Sequence, residues 1–428
     1  MRILLYAYNY YPEPIGIAPL MTELAEGLAR RGHEVRVVTG MPNYPERQVY
    51  PDYRGKAYVT EERNGVTIQR SYMWVRQNPS LMDRILLDGS FVATSLVQAL
   101  RGWRPDLLML TAPPLPVSVP AAMLGVIYRC PVVLNLQDIL PDAAIHLGIL
   151  TNPAVIRIFE ALEKFAYRSA TAISVITDKF TENLNGKGIE SEKISCIPNW
   201  VDVNFIKPLP RQDNDFRREL GLEDKFVALY SGNIAHSQGI ETVLRAAALL
   251  AHRPEIHFVI AGAAKAVTAL EVWCGENGIG LDNIHLMALQ PRDRLPSLLA
   301  AADVGLIIQK RNVVAFNMPS KTQVLMASGR PIIASVPGDG PAADALLDSQ
   351  AGLVVAPEQP EALAQAVVQL QENPGEARAM GDRGRRYALE HYSFEQALNR
   401  YESLFTSLIP DGQMASLPRT VTSLPEMR

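Results

Sequence analysis

The sequence predicts an α/β protein made of two lobes, each with a doubly wound, Rossmann-like parallel sheet. Two observations support this prediction. An apolar run, a Pro/Gly loop and an amphipathic helix follow one another at the amino terminus, and a second opening of this kind begins at Phe226. Short apolar runs then alternate with helical segments in both halves, as parallel sheets covered by helices require. Ligands of such sheets bind beyond the carboxyl ends of the strands, so two facing lobes predict a cleft between them.

Apolar runs predict seven strands in the first lobe, at residues 2–8, 33–39, 66–70, 107–111, 132–136, 172–176 and 194–197, with helices at 18–31, 152–169 and 178–187. The second lobe has predicted strands at 226–230, 257–261, 284–287, 304–308 and 331–335, and helices at 240–251, 322–328, 360–371 and 375–389. Stretches rich in Pro, Asp and Asn at 198–202 and 208–215 mark the connection between the lobes. We therefore predict domains at 1–203 and 204–390, a helix at 391–409 that packs back toward the first lobe, and a flexible tail at 410–428.

Composition limits the classes of partner and cofactor that the chain is expected to use. The chain has 428 residues, of which 48% are hydrophobic, and 41 basic against 45 acidic residues give a net charge of −4. This balance argues against nucleic acid as the main partner. The cysteines, Cys130, Cys196 and Cys274, lack metal-ligand spacing, so neither a metal nor another cofactor is expected. Met1 leads directly into the first strand, which predicts a cytoplasmic protein without a signal peptide.

The longest apolar stretch, Ser80 to Trp103, contains four charged residues and cannot span a bilayer. Two interpretations remain for it. The more common use of such a pattern is a core helix with a polar rim. The alternative is a helix that lies on the inner surface of the cytoplasmic membrane, because arginines and tryptophans flank its apolar face.

Several residues are candidates for holding a diphosphate, which needs backbone N–H groups and cations. Gly16 precedes the first helix, and Gly232 and Asn233 follow the first strand of the second lobe. Gln238 opens the next helix. Pro319 and Ser320 suit a helix start that leaves Lys321 in the first turn, where its charge opposes the helix dipole unless an anion binds. Turn glycines and a solvated lysine are the plain structural alternatives.

Asp138 is the main carboxylate candidate, because the segment from Asn135 to Asp142 ends a predicted strand. Its carboxylate, with Gln137 and Asp142 beside it, could orient an acceptor hydroxyl or a sugar. The structural alternative for Asp138 or Asp142 is the cap of the following helix.

Taken together, these segments resemble family 4 retaining glycosyltransferases with the two-lobed GT-B fold, and the resemblance runs from Met1 to about Phe405. The segments that carry it are Pro14-Ile-Gly16, Arg31 to Thr39, Gln137-Asp-Ile-Leu-Pro-Asp142, Ile197 to Asp202, Tyr230-Ser-Gly-Asn233, Gln238-Gly239, Ala301-Ala-Asp303, Ile308-Gln-Lys310, Met318-Pro-Ser-Lys321 and Met326 to Pro331. Within the family, they are most similar to the branches that act in colanic acid and O-antigen synthesis.

The resemblance implies metal-independent transfer of a sugar from a nucleotide-diphosphate sugar, with retention, to a polyprenyl-linked acceptor or an oligosaccharide. It adds Gln309 to the donor-binding residues. With the residue analysis above, it predicts Asp138 and Lys321 as the catalytic residues: Lys321 stabilises the leaving diphosphate, and Asp138 positions the acceptor or the donor sugar. The chain also departs from the family pattern. Gly232-Asn233 and Gln238-Gly239 replace loop motifs that usually carry two cations, for which Lys321, Lys310 and Arg311 could substitute.

Two further departures keep other functions open. Phe316 and Val324 stand where the family has two glutamates, and Gln137-Asp138 replace a usual histidine. One alternative is a nucleotide-sugar epimerase on the same fold. The other is a degenerate, non-catalytic member that binds a glycan or a partner protein.

Overall fold

The computed structural model describes residues 1–14, 16–146, 148, 150–234, 238–313 and 318–409. The predicted tail at 410–428 therefore lies outside the described residues, as do His236, Phe316 and Asn317. The chain divides into two compact units. The first contains Met1–Ile197 and the described residues from Leu398 onward, and the second contains Pro198–Ala397.

The first unit has an eight-stranded sheet in the order β3-β4-β2-β1-β5-β6-β7-β8, in which only the β3–β4 pair is antiparallel. Its strands are β1 (Arg2–Tyr6), β2 (Glu34–Gly40), β3 (Tyr58–Arg63), β4 (Val66–Ser71), β5 (Leu107–Ala112), β6 (Val132–Leu136), β7 (Ala172–Val175) and β8 (Ile194–Cys196). Its helices are α1 (Ala18–Arg30), α2 (Leu81–Ala99), α3 (Ser118–Tyr128), α4 (Asp142–His146), α5 (Pro153–Ser169) and α6 (Asp178–Gly186). The central strands are buried, as helices on both faces of a parallel sheet require.

The second unit has a six-stranded, fully parallel sheet in the order β11-β10-β9-β12-β13-β14. Its strands are β9 (Phe226–Ser231), β10 (Ile256–Gly262), β11 (Ile284–Ala288), β12 (Val304–Ile308), β13 (Ile332–Ser335) and β14 (Gly352–Val355). Its helices are α7 (Asp215–Leu220), α8 (Glu241–Leu249), α9 (Ala264–Glu276), α10 (Leu295–Ala301), α11 (Lys321–Ala327), α12 (Pro341–Ser349), α13 (Pro360–Glu372) and α14 (Pro374–His391). The strand order reverses beside β9, which is the Rossmann arrangement and places ligands at the carboxyl ends of β9 and β12.

The segment after Ile197 packs with the second unit. The backbone N–H of Val201 donates to the carbonyl of Tyr392 at 2.9 Å, and the rings of Trp200 and Phe394 are 5.5 Å apart. These contacts agree with a division between the units before Pro198.

The last described helix, α15 (Phe394–Leu408), begins in the second unit and continues into the first. The Tyr401 hydroxyl accepts a hydrogen bond from Asn135 on β6 at 2.9 Å. Glu402 forms an ion pair with Arg31, and its carboxylate lies 2.7 Å from Nε2 of His33, within hydrogen-bond distance. These contacts fasten the second half of the helix to the first unit.

Capping residues in the sequence explain where two of the helices begin. Ser80 and Asp83 form a reciprocal capping box at the start of α2. Asn152 caps α5 by accepting from two backbone N–H groups, with Pro153 in the first turn. Among the helices of the described chain, none is both long enough and apolar enough to cross a membrane.

Candidate functional site

The carboxyl end of β9 is where the second unit brings its predicted donor-binding residues together. Gly232 follows the strand with φ of +136°, and its N–H donates to the Ala261 carbonyl at 3.0 Å. A Cβ atom at this position would lie 2.8 Å from Cε of Lys321. Only glycine therefore combines this backbone conformation with the close passage of the lysine side chain.

Lys321 is the first residue of α11, one position earlier than the sequence predicts for the helix start. Its ammonium lies 4.8 Å from the ring centroid of Tyr230, and the Tyr230 hydroxyl donates to the Asn233 carbonyl at 2.6 Å. Burial lowers the pKa of Lys321 to about 8. Within the described ranges, no carboxylate pairs with this ammonium. A desolvated cation without a counter-ion is suited to an anionic ligand.

A second lysine contacts the other predicted glycine turn. Gly239 has φ of +61°, and a Cβ there would lie 2.9 Å from Cγ of Lys310. Lys310 follows the end of β12 and the buried Gln309, whose N–H donates to the Ser335 carbonyl at 2.9 Å. Each of the two loop motifs that lack the family's usual cation therefore has a lysine packed against its glycine: Lys321 against Gly232, and Lys310 against Gly239.

The remaining predicted donor-side residues surround these two contacts. Pro319 and Ser320 immediately precede Lys321, and the Pro319 carbonyl accepts from the Thr322 N–H at 2.9 Å. Gln238 precedes Gly239. The backbone N–H of Arg311, the other predicted substitute, donates to the carboxylate of Glu358 at 3.2 Å. Within α11, the Thr322 hydroxyl and the Gln323 carbonyl oxygen are buried and have no partner among the described residues.

In the first unit, Gln137 and Asp138 lie just beyond β6, as predicted. The side-chain amide of Gln137 donates to Asn135 at 2.8 Å, and its backbone N–H donates to the Ala112 carbonyl. Asp138 accepts from the Ile139 N–H at 2.9 Å, and burial raises the pKa of its carboxyl group. Asp138 is thus a desolvated carboxyl group at the carboxyl edge of the sheet, where parallel α/β sheets bind ligands.

Asp142, predicted on the acceptor side, is the first residue of α4, and its carboxylate is held by residues of its own unit. Its carboxylate forms an ion pair with Lys187 at 2.9 Å and accepts from Asn183 at 3.2 Å. These contacts favour the structural interpretation of Asp142, although its acceptor-side role stays a prediction.

Gly16 precedes α1 with φ of +72°, and a Cβ there would meet no described atom within 4 Å. The same loop contains a buried carboxylate that the sequence analysis missed. Glu13 accepts from the backbone N–H groups of Asn43 and Tyr44 at 2.8 and 2.9 Å, and from the Asn9 amide at 2.7 Å. Burial raises the pKa of Glu13 despite these donors. The loop that precedes α1 is therefore fixed to the segment after β2.

Asp88 on α2 is the second missed residue. The Tyr8 hydroxyl, just beyond β1, donates to its carboxylate at 3.4 Å, and burial raises the pKa of Asp88 to about 6. The sequence does not single it out, because Asp88 is one of four charged residues between Ser80 and Trp103. Among the described side chains, no group of three or more His, Cys, Asp or Glu residues is placed to hold a metal ion.

Comparisons with known proteins agree with this two-unit arrangement. Residues 16–200 match the family described as Glycosyl transferase 4-like domain, and residues 212–387 match Glycosyl transferases group 1. WcaI of Escherichia coli, named as a colanic acid biosynthesis glycosyl transferase, is 34% identical over 341 residues, which cover 78% of this chain and 83% of WcaI. The probable glycosyltransferase WbjE of Pseudomonas aeruginosa is 25% identical over 74% of this chain and 76% of its own.

Solved structures agree on the fold. HepE from Anabaena, crystallised with UDP, has a TM-score of 0.71 at 16% identity and covers 95% of this chain and 100% of its own. Sucrose-phosphate synthase from Thermosynechococcus elongatus gives the same TM-score and identity over 95% of this chain and 99% of its own. At such identity, the likeness concerns the fold alone. The two family matches, the identity to WcaI and the two parallel sheets together place this chain in the family of glycosyltransferases with the GT-B fold.

Proposed function

We propose that this glycosyltransferase moves a sugar from a nucleotide-diphosphate sugar to a polyprenyl-linked acceptor or a growing polysaccharide, with retention and without a metal ion. The observation that carries the proposal is the position of Lys321 against Gly232, with Lys310 against Gly239. The names of relatives point in the same direction, since WcaI is named for colanic acid biosynthesis and HepE was crystallised with UDP-glucose.

In the proposed reaction, Lys321 and Lys310 stabilise the negative charge that develops on the leaving diphosphate. In the transfer, the bond from the anomeric carbon to the diphosphate breaks, and the acceptor oxygen bonds to that carbon. The leaving diphosphate gains negative charge, and the acceptor hydroxyl loses its proton. At about 4 Å and an effective dielectric constant of about 20, one lysine and one phosphate charge attract by about 4 kcal/mol before desolvation. Lys321 and Lys310 thus supply charge that a metal ion would otherwise provide.

Asp138 has the complementary role in the proposal. Its carboxyl group is desolvated, and within the described chain it accepts a single hydrogen bond, from the Ile139 N–H. An oxygen of this kind can orient a hydroxyl of the acceptor or of the donor sugar.

The decisive experiment compares Lys321→Ala with Lys265→Ala, which removes an exposed lysine from α9. We expect Lys321→Ala to lower kcat/KM by about 10²- to 10³-fold, because it removes charge stabilisation of the leaving group. Lys265→Ala should match wild type, and EDTA should not change either rate. NMR of the product assigns the anomeric configuration. Equal rates for the two variants would refute the proposed donor site.

The proposal includes attachment to an anionic membrane surface through α2 and α3, which pack against each other. One face of α3 exposes Val119, Met123, Val126 and Ile127, and Val126 is 79% exposed. The proposed surface also includes Ile85 and Leu86 of α2, which are exposed. Exposed arginines at its margins complement anionic head groups; they are Arg84, Arg101 and Arg129.

Flotation with vesicles tests this part separately. Wild-type protein should float with vesicles that contain anionic lipid and much less with neutral vesicles. Val126→Glu should reduce flotation, whereas Val272→Glu, at a 57% exposed position on α9, should not. Flotation that is absent, or equal for both variants, would contradict the membrane surface without affecting the donor site.

A further inference from the structure

The second unit has a cleft of about 410 Å³ at the edge of its sheet opposite Gly232 and Lys321. Phe226, Asp303 and Pro331, at or beside the amino ends of β9, β12 and β13, line it. β9 spans six residues, so the cleft and Gly232 lie about 20 Å apart along the strand. Its volume falls in the range of about 300–1,000 Å³ that small-molecule sites occupy.

The charges of this cleft do not cancel. Its lining includes four basic residues, Arg211, Lys225, Arg330 and Arg378, against three acidic residues, Asp224, Glu255 and Asp303. Two of the acids are already neutralised by arginines outside the lining. Arg217 pairs with Asp303 at 2.5 Å, and Arg253 pairs with Glu255 at 2.7 Å and with Glu372 at 3.1 Å. Asp303 also pairs with Arg211 of the lining at 2.5 Å. Together, these side chains comprise six bases and four acids. The cleft therefore has an excess of positive charge.

Two of the guanidinium groups retain donors for a ligand. Arg330 donates one N–H to the Leu209 carbonyl at 2.6 Å, while its Nε is buried and lacks a partner in the described part of the chain. Arg378, exposed on α14, forms no ion pair with the described residues. Burial lowers the pKa of Arg330, the Asp303 carboxylate opposes this shift, and Arg217 and Arg211 reinforce it. A bound anion would stabilise the charged guanidinium group of Arg330.

We propose that this cleft binds a small phosphate-bearing metabolite, with its phosphate group on Arg330 and Arg378. Guanidinium groups suit phosphate because their N–H donors match its oxygens in pairs. The apolar side chains of Phe226, Leu370 and Pro374 line the same cleft and can contact the non-phosphate part of the ligand. This site is separate from the donor site and does not depend on the proposed transfer reaction.

Calorimetric titration of the full chain tests the proposal. The probes are inorganic pyrophosphate, a hexose phosphate and a nucleoside monophosphate, which distinguish a bare phosphate from a sugar or a nucleoside attached to it. Titrations are run in the Lys321→Ala background, so that the donor site contributes little. We expect saturable binding with a stoichiometry near one, and about tenfold weaker binding when Arg378→Ala is added, because a charge-assisted contact is lost.

Two variants serve as controls for this result. Arg386→Ala removes another exposed arginine from α14 that does not line the cleft, and it should leave the affinity unchanged. Arg330→Gln should weaken binding at least as much as Arg378→Ala, with folding verified by its thermal transition. No saturable binding of any probe, or equal loss in the Arg378 and Arg386 variants, would overturn the proposal.

Discussion

The carboxyl edges of the two sheets differ in the sign of the charged groups that lie there. The second unit has Lys321 and Lys310 against two glycine turns, whereas the first has Glu13, Asp88 and Asp138 near the ends of its strands. Burial lowers the pKa of Lys321 and raises the pKa of all three carboxyl groups. One physical cause, desolvation, therefore prepares the second edge for an anion and the first for hydrogen bonds to hydroxyl groups.

The largest effect should come from Gly232→Ala. The new Cβ would meet Cε of Lys321 at 2.8 Å, and φ of +136° is strained for any L residue with a side chain. We expect donor affinity to fall by about 100-fold as the lysine is displaced, and stability to fall by about 1–3 kcal/mol. Calorimetry with the donor and urea unfolding measure the two effects.

Gly275→Ala is the matched control for this change. Gly275 lies in α9, outside the left-handed backbone region, and a Cβ added there would have no neighbour within 4 Å. Alanine there should leave donor binding unchanged and raise stability by up to about 1 kcal/mol. Full donor affinity in Gly232→Ala would mean that the second edge does not depend on the position of Lys321.

Asp138→Asn should separate catalysis from stability at the first edge. Asparagine can still accept from the Ile139 N–H but carries no charge, so we expect kcat to fall about 10- to 100-fold with little change in stability. Asp142→Asn should instead leave kcat unchanged and lower stability by about 1 kcal/mol, because Asp142 pairs with Lys187. Steady-state kinetics and urea unfolding of both variants test this; a large kcat loss in Asp142→Asn would reverse the assignment.

The pH dependence of donor binding sharpens the comparison further. Without ligand, the pKa of Lys321 is about 8, so this lysine loses its charge as the pH rises above 8. A bound diphosphate favours the charged form, and the donor Kd should therefore rise by about tenfold between about pH 7.5 and 9.5. Calorimetry at several pH values measures it. Lys321→Arg keeps its charge over this range and should give a flat profile.

Most of the fold could be predicted from the sequence because buried parallel strands are continuous apolar runs. The elements that the sequence analysis missed lack this signature. β3 is an edge strand with the partly exposed, polar sequence Thr60-Glu-Glu-Arg63, and β14 is only four residues long and starts at Gly352. α3 is apolar on all sides, so it shows no helical periodicity.

The site could be predicted less completely, since its main contacts join distant parts of the chain. Sequence patterns placed Gly232 after a strand and Lys321 at a helix start. Only the folded second unit shows that the side chain of Lys321 occupies the space beside Gly232. Glu13 and Asp88 were missed for a different reason. A lone acidic residue carries no signal of burial until its partners, Asn43, Tyr44 and Tyr8, are known.

The smallest effect concerns the stability of the first edge. The pKa of Asp88 is about 6 in the folded chain against an ordinary value of 3.8, so the folded state binds more protons than the unfolded state between these values. Stability should therefore decrease as the pH rises from about 4 to about 6. The full pKa difference corresponds to at most about 3 kcal/mol, and partial contact with solvent reduces the expected change to about 1 kcal/mol.

Asp88→Asn removes this titration while keeping an acceptor for the Tyr8 hydroxyl. The variant should be more stable than wild type by about 1 kcal/mol at pH 7.5 and equal to it at pH 4, as measured by urea unfolding. Asp348→Asn, at an exposed position on α12, should show no such difference between the two pH values. A stability difference that is the same at both pH values would show that Asp88 is not held in a desolvated site. The contrast between the two edges would then rest on Asp138 and Glu13 alone.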